Sequence, residues 1–371
     1  MEYKTKLYAG ARADLSVFNH GRRQAHVVVH ADSSEGDFVR RAAAVAAALR
    51  DISRETGLTP VFVRWFLSDA ANQSALLPDM FACARSVVQQ APLDGSKVAV
   101  WAMLEEDADF REASPGVWTD ARGRLFMGDT DVTGANGSES ETRAFLMRLS
   151  GELESRGASL LEHCVRTWFM VRDVDLNYGG VVKGRNEVFA RKGLTRHTHF
   201  ISSTGIEGRP ARLSDTVAFN ALADLRLQPG QMRFVRGASH LNPTIEYGVA
   251  FERGTTVDYA DRRHLYLSGT ASIDNCGEIV HSGDVAAQTL RMLENIEVLT
   301  AEAECSASDY CHFLVYLRDL SDRDVVERIF AKRYPDVPRV LLLAPVCRPG
   351  WLVEAECMAV RRSCRDEYAA F

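Results

Sequence analysis

The stretch PDVPRVLLLAPVCRPGWLVEAECMAV, residues 335–360, holds two apolar segments, 339–346 and 351–360, on either side of Cys347-Arg348-Pro349-Gly350. It predicts two buried strands joined by a turn, because Pro and Gly suit a corner between short apolar runs. The first strand opens on Arg339; the second carries Glu354 and Glu356 among Leu352, Val353, Ala355 and Met358. A carboxylate inside an apolar strand is unfavourable unless it is paired, protonated or turned to a cavity. The alternative is a solvated sheet face, since strand neighbours alternate sides. That alternative is kept for Glu356, while Glu354 is read as facing a cavity.

Working outward, 371 residues suffice for two or three domains with a sizeable core. Hydrophobic residues at 46% and charged residues at 25% match an ordinary soluble protein. A net charge of −6 argues against a general nucleic-acid binder or a membrane-surface protein. No apolar run approaches the roughly 18 residues that span a bilayer. The opening MEYKTKLYAG lacks the apolar core of a signal peptide, so a cytoplasmic location is expected. The 8 cysteines show no CxxC spacing and are expected as reduced thiols rather than disulfides or zinc ligands.

Three weak internal repeats follow. Residues 38–56, 142–161 and 286–304 each read as an amphipathic helix. Each precedes an aromatic-rich strand closing on aspartate: residues 59–69, 165–173 and 311–319, with Asp69, Asp173 and Asp319 as equivalent points. The first and third units then reach a strand opening on arginine, Arg85 or Arg339; the middle unit has Thr198 there. Hairpins are expected before the helices at 264–284 and 117–132, with a poorer copy in the opening residues. Irregular joints are expected at 105–116 and 208–262. The fold class is α+β: three sheet-plus-helix units at 1–106, 107–250 and 251–371, packed sheet edge to sheet edge into one body.

The third unit resembles the reactive-intermediate deaminase (YjgF-like) family. The matching residues are SGTASI at 268–273, GEIVHSGDVAAQTLRMLENI at 277–296, Arg339, and LVEAE at 352–356. Arg339 and Glu354 stand 15 apart, the family's arginine-to-glutamate spacing. The resemblance is good over 260–360 and detectable at 37–104, where Val100 takes the glutamate position. It implies a trimeric, chorismate-mutase-like fold with sites between subunits, and here a fused pseudo-trimer with one surviving centre. VCRPGWLVEAE (346–356), STGIEG (203–208) and NPTIEYGVAFERG (242–254) are similar to the chorismatases, larger relatives built from such units. That resemblance implies substrate contacts at Tyr247 and Arg253. It also associates a cysteine at 347 with the branch forming 3-hydroxybenzoate.

Chorismate is a small dianion bearing an enol ether, and carboxylates suit guanidinium forks. Arg339 and Arg253 are the candidates, with Arg209 or Arg185 as helpers. Enol-ether cleavage starts with protonation of the terminal carbon, so the acid must stay protonated near neutral pH. Burial among Trp351, Leu352 and Val353 would raise Glu354 in that direction. Glu354 is therefore expected as general acid. Cys347 is expected near the same cleft, against a purely structural buried thiol. Gly269, Thr270 and Ala271 would floor the pocket, with Thr204 and Gly205 from the neighbouring unit. The 10 histidines form no HExxH pair, and no metal or cofactor is expected. The basic run at 180–193 is read as a solvated helix face.

The expected activity is cleavage of chorismate to pyruvate plus 3-hydroxybenzoate or a dihydroxycyclohexadiene carboxylate, a reaction of secondary metabolism. An imine or enamine deaminase, with Arg339 holding a carboxylate and water activated near Glu354, competes with it. So does a non-catalytic ligand-binding protein. The expected partner is a small dicarboxylate, with neither nucleic acid nor membrane, in a monomer (pseudo-trimer) or weak homo-oligomer.

Overall fold

The computed structural model describes residues 1–34, 36–79 and 81–371, and it contains three mixed sheets backed by helices. In spatial order the first sheet runs Glu2–Tyr8, Ala11–Phe18, Gln24–Ala31, Val98–Glu105, Thr59–Leu67, Ala84–Gln89. The second runs Ser202–Glu207, Cys164–Val171, Val217–Asp224, Arg124–Met127, Val117–Thr119, Arg111–Ser114. The third runs Met232–Val235, Gly254–Asp258, Arg262–Leu267, Val353–Arg362, Tyr310–Leu317, Arg339–Leu343. Helix Phe38–Thr56 covers the first sheet, Ser138–Glu154 and Val174–Arg191 the second, and Val285–Glu302 and Arg323–Arg333 the third. The helix starts follow local chemistry: the carboxylates of Asp37 and Asp284 accept from the backbone N–H groups of Arg40 and Ala287. Gly57, left-handed at φ 68°, ends the first helix.

Three seams join the sheets into a ring. Arg209–Pro210 of the middle unit adds to strand Ala84–Gln89 of the first. Ala91–Pro92 of the first adds to Arg339–Leu343 of the third. The third closes onto the middle, where the Glu207 N–H donates to the Pro345 carbonyl at 3.1 Å and Ile206 bridges Val346. Each unit thus hands the segment after its edge strand to a neighbour, and the parallel edge of each sheet is covered.

The inner faces of all three sheets share one core, while the outer faces of the first two bury separate clusters beneath their helices. Phe62 stacks on Phe126 and Trp168, and His312 packs against His26 and Trp101. Burial holds His26 and His312 far below the usual imidazole range, so both are neutral. A register shift just before Phe62, Arg166 and His312 aligns the three units residue by residue. On that alignment Trp101, Asn220 and Glu356 occupy the same position on the innermost strands, opposite Arg64, Trp168 and Leu314.

Glu356 is the hub of this junction. Its carboxylate accepts from Arg166 and Thr204 of the middle unit, from Trp168 Nε1 at 3.0 Å and from the Tyr316 hydroxyl at 2.9 Å. Arg64 of the first unit stands 3.8 Å away and donates to Asn220 Oδ1 at 3.0 Å. The Arg64 guanidinium also lies over the rings of Phe62, Trp101 and Trp168, 5.1–5.5 Å from their centroids. Glu356 is 3% exposed, which overturns its reading as a solvated carboxylate.

Other expectations also change. Strands Arg339–Leu343 and Val353–Arg362 are not partners, because Tyr310–Leu317 lies between them. The joint 208–262 contains Val217–Asp224, the central strand of the second sheet. Its run VAFNALAD is buried on both faces and so lacks alternation. The third sheet takes in Met232–Val235 and therefore begins ahead of residue 251. At 264–284 the hairpin reduces to a single bridge, Ile273 to Ile279. Register places Ser203, not Thr198, opposite Thr167 where Arg339 pairs Phe313 and Arg85 pairs Val63. It likewise gives Ala99, not Val100, the place of Glu354.

Removing the Glu356 carboxylate leaves Arg166 and Arg64 buried without their counter-ion. Glu356→Ala is expected to lose about 3–5 kcal/mol of stability in chemical denaturation. A loss below about 1 kcal/mol would contradict the hub role.

Candidate active site

A cleft of about 340 Å³ opens between the middle and third units. The third unit builds its floor from Gly269, Ala271 and Ile273, just beyond strand Arg262–Leu267. This segment is tied down on every side. Asn295 of helix Val285–Glu302 donates to the carbonyls of Ala271 and Ile273, and Trp351 Nε1 donates to the Ser272 carbonyl. On the middle-unit side, the Gly269 N–H donates to Thr204 Oγ1 at 3.0 Å, and the Ser203 N–H to Ser268 Oγ at 2.9 Å. Gln288 fixes the turn before Glu354 by bonding the Gly350 carbonyl and the Leu352 N–H.

Glu354 enters this cleft 5% exposed, and its carboxyl makes no hydrogen bond or ion pair among the described residues. Burial, then the negative charge of Glu356, push it up to about 8, against the opposing pull of Arg166 and Arg253. The carboxyl lies on the backbone of Gly269: a Cβ there would sit 2.1 Å from Glu354 Oε1. Only glycine leaves that space.

Around the acid stand aromatic walls and cations. Tyr178, Val182 and Arg185 share one face of helix Val174–Arg191, at helical spacing. Arg185 is 1% exposed, and its Nε and Nη2 have no hydrogen-bond partner among the described residues. Arg253, also buried, donates through Nη2 to the Asn242 carbonyl at 3.0 Å and leaves Nε unpartnered. Its guanidinium lies over the Tyr247 and Phe251 rings. Arg348 packs over Tyr247 and Trp351. Unpartnered buried guanidinium nitrogens are costly in a dry core, so they mark where an anion's oxygens belong. Cys347 lines the same cleft beside Tyr178; burial, then the Glu354 charge, push its thiol up to about 12, so it is not a thiolate.

Of the residues expected from sequence, Glu354, Cys347, Tyr247, Arg253, Gly269, Ala271 and Gly205 line one cleft. Thr204 and Thr270 lie behind it: Thr204 bonds Glu356 and Gly269, and Thr270 Oγ1 donates to the Ser268 carbonyl. Arg209 is outside, 3.9 Å from Asp173 on the surface. Arg339 is outside as well. It pairs with Glu327 at 2.6 Å and lines a different, polar cavity of about 530 Å³ between the third and first units.

The ring explains that displacement. Each unit's edge strand faces the next unit's floor, so its arginine serves a neighbouring cleft. The equivalent contacts are Ser203 and Thr204 on Ser268–Gly269, Asp129 on the Arg85 carbonyl at 2.7 Å, and His30 on the Arg339 carbonyl at 3.2 Å. The strand facing Glu354 therefore carries Ser203. The Arg85 contact is shut, since a Cβ on Gly128 would lie 2.4 Å from the Arg85 carbonyl oxygen. In the larger cavity Arg339 is neutralised by Glu327, and His30 by Asp94 at 2.6 Å. Size alone does not make it the reactive site.

Arg185, a candidate helper from sequence, does line the cleft, so the run 180–193 is not simply a solvated face; Tyr178, on the same helix, is the cleft residue that sequence reading does not single out. The signal was present in the 178, 182, 185 spacing. Gly180 and Gly184 add to it: they press this helix onto Ser138 and Glu139, leaving no room for a Cβ at either position.

Comparison with known proteins gives matches of two kinds. The Endoribonuclease L-PSP family pattern matches residues 255–361. The 3-aminoacrylate deaminase RutC of Acinetobacter baylyi is 30% identical over 97 residues, covering 26% of this chain and 77% of that protein. A RutC family protein of Pyrococcus abyssi is 31% identical over 100 residues, covering 26% and 78%. A crystal structure of a chorismatase superposes with a TM-score of 0.67 over 81% of this chain and 93% of its own, at 20% identity. That likeness shows the fold, including its fused three-unit form. No helix among the described residues is long and apolar enough to cross a membrane.

The raised Glu354 has a thermodynamic consequence. A carboxyl whose proton affinity rises on folding favours the folded state below its unfolded value of 4.5, and that advantage is lost as pH climbs through about 8. Glu354→Gln should therefore flatten the decline in denaturation midpoint between about pH 5 and pH 9 and stabilise the alkaline end. An unchanged slope would show that Glu354 ionises normally.

Proposed function

The chain belongs to the RutC family, and from the geometry of its cleft we propose that it cleaves the enolpyruvyl ether of chorismate and releases pyruvate. The observation that carries the reading is Glu354, a buried carboxyl with no partner among the described residues, in one cleft with unpartnered buried guanidinium nitrogens. Chorismate presents two carboxylates and one acid-labile enol ether, and Arg185 and Arg253 answer the carboxylates. The likeness to a chorismatase supports the same direction.

Glu354 delivers its proton to the terminal methylene carbon of the enolpyruvyl group, and the ether carbon becomes an oxocarbenium ion. Burial of the acid matters here, because an ordinary glutamate would be ionised at neutral pH. The ionised Glu354 left behind then offsets the cation. Addition of water gives a hemiketal that collapses to pyruvate and a dihydroxycyclohexadiene carboxylate. Without net water, the ring C4 hydroxyl adds to the oxocarbenium carbon; the bond from that carbon to the C3 oxygen and the ring C4–O bond then break, pyruvate leaves with the C4 oxygen, and loss of the C3 proton gives 3-hydroxybenzoate. Both routes are redox-neutral, so proton, water and position suffice. Cys347, uncharged and beside Tyr178, is placed to favour the aromatic product by limiting where water can stand.

The imine-deaminase reading keeps the support of the RutC relative, but Arg339 and Glu354 lie in different clefts, so the pairing expected for it is not formed. The ring closed by three seams favours a monomer over a homo-oligomer.

A lactate-dehydrogenase-coupled assay of the purified protein with chorismate should register pyruvate; none between about pH 6 and pH 9 would end the proposal. Turnover should fall as pH rises through about 8, where the acid loses its proton. Glu354→Gln should lower it about 10²- to 10⁴-fold. Arg185→Ala should raise KM about 10- to 100-fold, whereas Arg339→Ala should leave KM unchanged. Cys347→Ala should alter the ratio of aromatic to dihydrodiol product at nearly constant pyruvate yield, read by chromatography.

A further inference from the structure

We propose that Glu356 is a positioning residue for the Glu354 acid: anchored as a carboxylate by all three units, it sets a fixed negative charge beside Glu354 and thereby holds the proton there. The inference rests on the reading of Glu354 as the acid, and it gives the central junction a task in the neighbouring cleft.

The geometry starts from strand Val353–Arg362, where residues two apart share a face. Glu354 and Glu356 therefore point the same way, toward the middle unit. Glu356 has its counter-ions and donors in place: Arg166, Thr204, Trp168 and Tyr316 directly, Arg64 at 3.8 Å. Four donors, one of them the Arg166 guanidinium, thus surround this carboxylate, with the Arg64 guanidinium beside them. Glu354 has none of these. The two carboxyls are joined only through Thr204, which bonds Glu356 and accepts from the Gly269 N–H, while Gly269 lies against the Glu354 carboxyl. Where two carboxyls share a poorly hydrated place, the proton is held by the one without donors.

The other charged or titratable groups facing Glu354 come from every wall. Arg166 approaches from strand Cys164–Val171 of the middle unit, and Arg253 and Tyr247 from the segment before Gly254–Asp258. Arg185 and Tyr178 approach from the helix, and Cys347 and Arg348 from the turn. Among the described residues Arg185, Arg253 and Arg348 have no carboxylate of their own, and Arg253 and Arg166 draw the proton off Glu354. Arg166 is the one already committed, and Glu356 is what commits it. Losing the Glu356 charge would expose Glu354 to Arg166 and Arg64 at full strength.

The sign can be checked in both directions. In Glu356→Gln the Glu354 titration should move down by about one to two pH units, the size expected for a charge removed at this range. Turnover of chorismate at pH 7 should fall about tenfold or more as the alkaline limb follows. Glu356→Asp, which retains the charge, should stay close to wild type. Arg64→Met, which removes a nearby positive charge, should move the titration up. The carboxyl ¹³C resonance of Glu354, assigned by its loss in Glu354→Gln, reads the titration without any substrate. If no chorismate is turned over, this readout still decides the inference. Glu356→Gln leaving the titration in place, equal shifts in Gln and Asp, or a downward shift in Arg64→Met would each overturn it. Should Glu356→Gln fail to fold, the opposite sign expected of Arg64→Met still tests the idea, because a purely structural loss has no reason to raise the titration.

Discussion

The structure depends on one buried charge balance: Glu356 of the third unit against Arg166 of the middle unit and Arg64 of the first. Ion pairs in a dry interior gain little over apolar packing, yet breaking one leaves a charge with nowhere to go. The arrangement works here because each guanidinium has further partners. Arg64 rests among three aromatic rings and Asn220, and Arg166 also reaches Thr204 and Ser268. A single carboxylate thus forces three sheets into one relative placement. The aromatic packing around it, Phe62 on Trp168 and Trp101 on His312, supplies the burial; the charge supplies the register.

From that placement the cleft follows. Closing the ring sets the middle unit's strand Ser202–Glu207 against the third unit's floor, and brings helix Val174–Arg191 over its mouth. The first and third units carry arginine on the corresponding strand position, whereas the middle unit has Ser203 there and supplies Arg185 from its helix instead. The cation that meets the ligand has moved from backbone-edge to helix-borne, and the space freed at the edge belongs to the cleft. Gly269 completes the design by letting the acid lie flat on the floor.

Much of this was readable in the chain. The repeated helix, strand and closing aspartate gave three α+β units, because amphipathic period and aromatic-rich strands are local properties. Glu354 stood out because an acid among Trp351, Val353 and Ala355 has few explanations. What escaped was non-local. Arg339 sits 15 positions before Glu354, a spacing that says nothing about which side of a ring each residue serves. Glu356 looked like a surface carboxylate because its counter-ions lie 190 and 292 positions earlier. Strand Val217–Asp224 was hidden for a related reason. With both faces buried it has no alternation, and its one polar residue, Asn220, is explained only by Arg64 in another unit.

Trp101, Asn220 and Glu356 stand at matching points of the innermost strands, and no two are alike. Three identical chains around an axis would have to place the same side chain there in triplicate. Three glutamates would repel, three arginines likewise, and a lone counter-ion could not be written into the gene at all. Joining the copies end to end lifts that restriction, so an acid, an amide and an indole can meet at one point. The unequal fates of the three clefts, one open, one neutralised and one shut, become possible for the same reason.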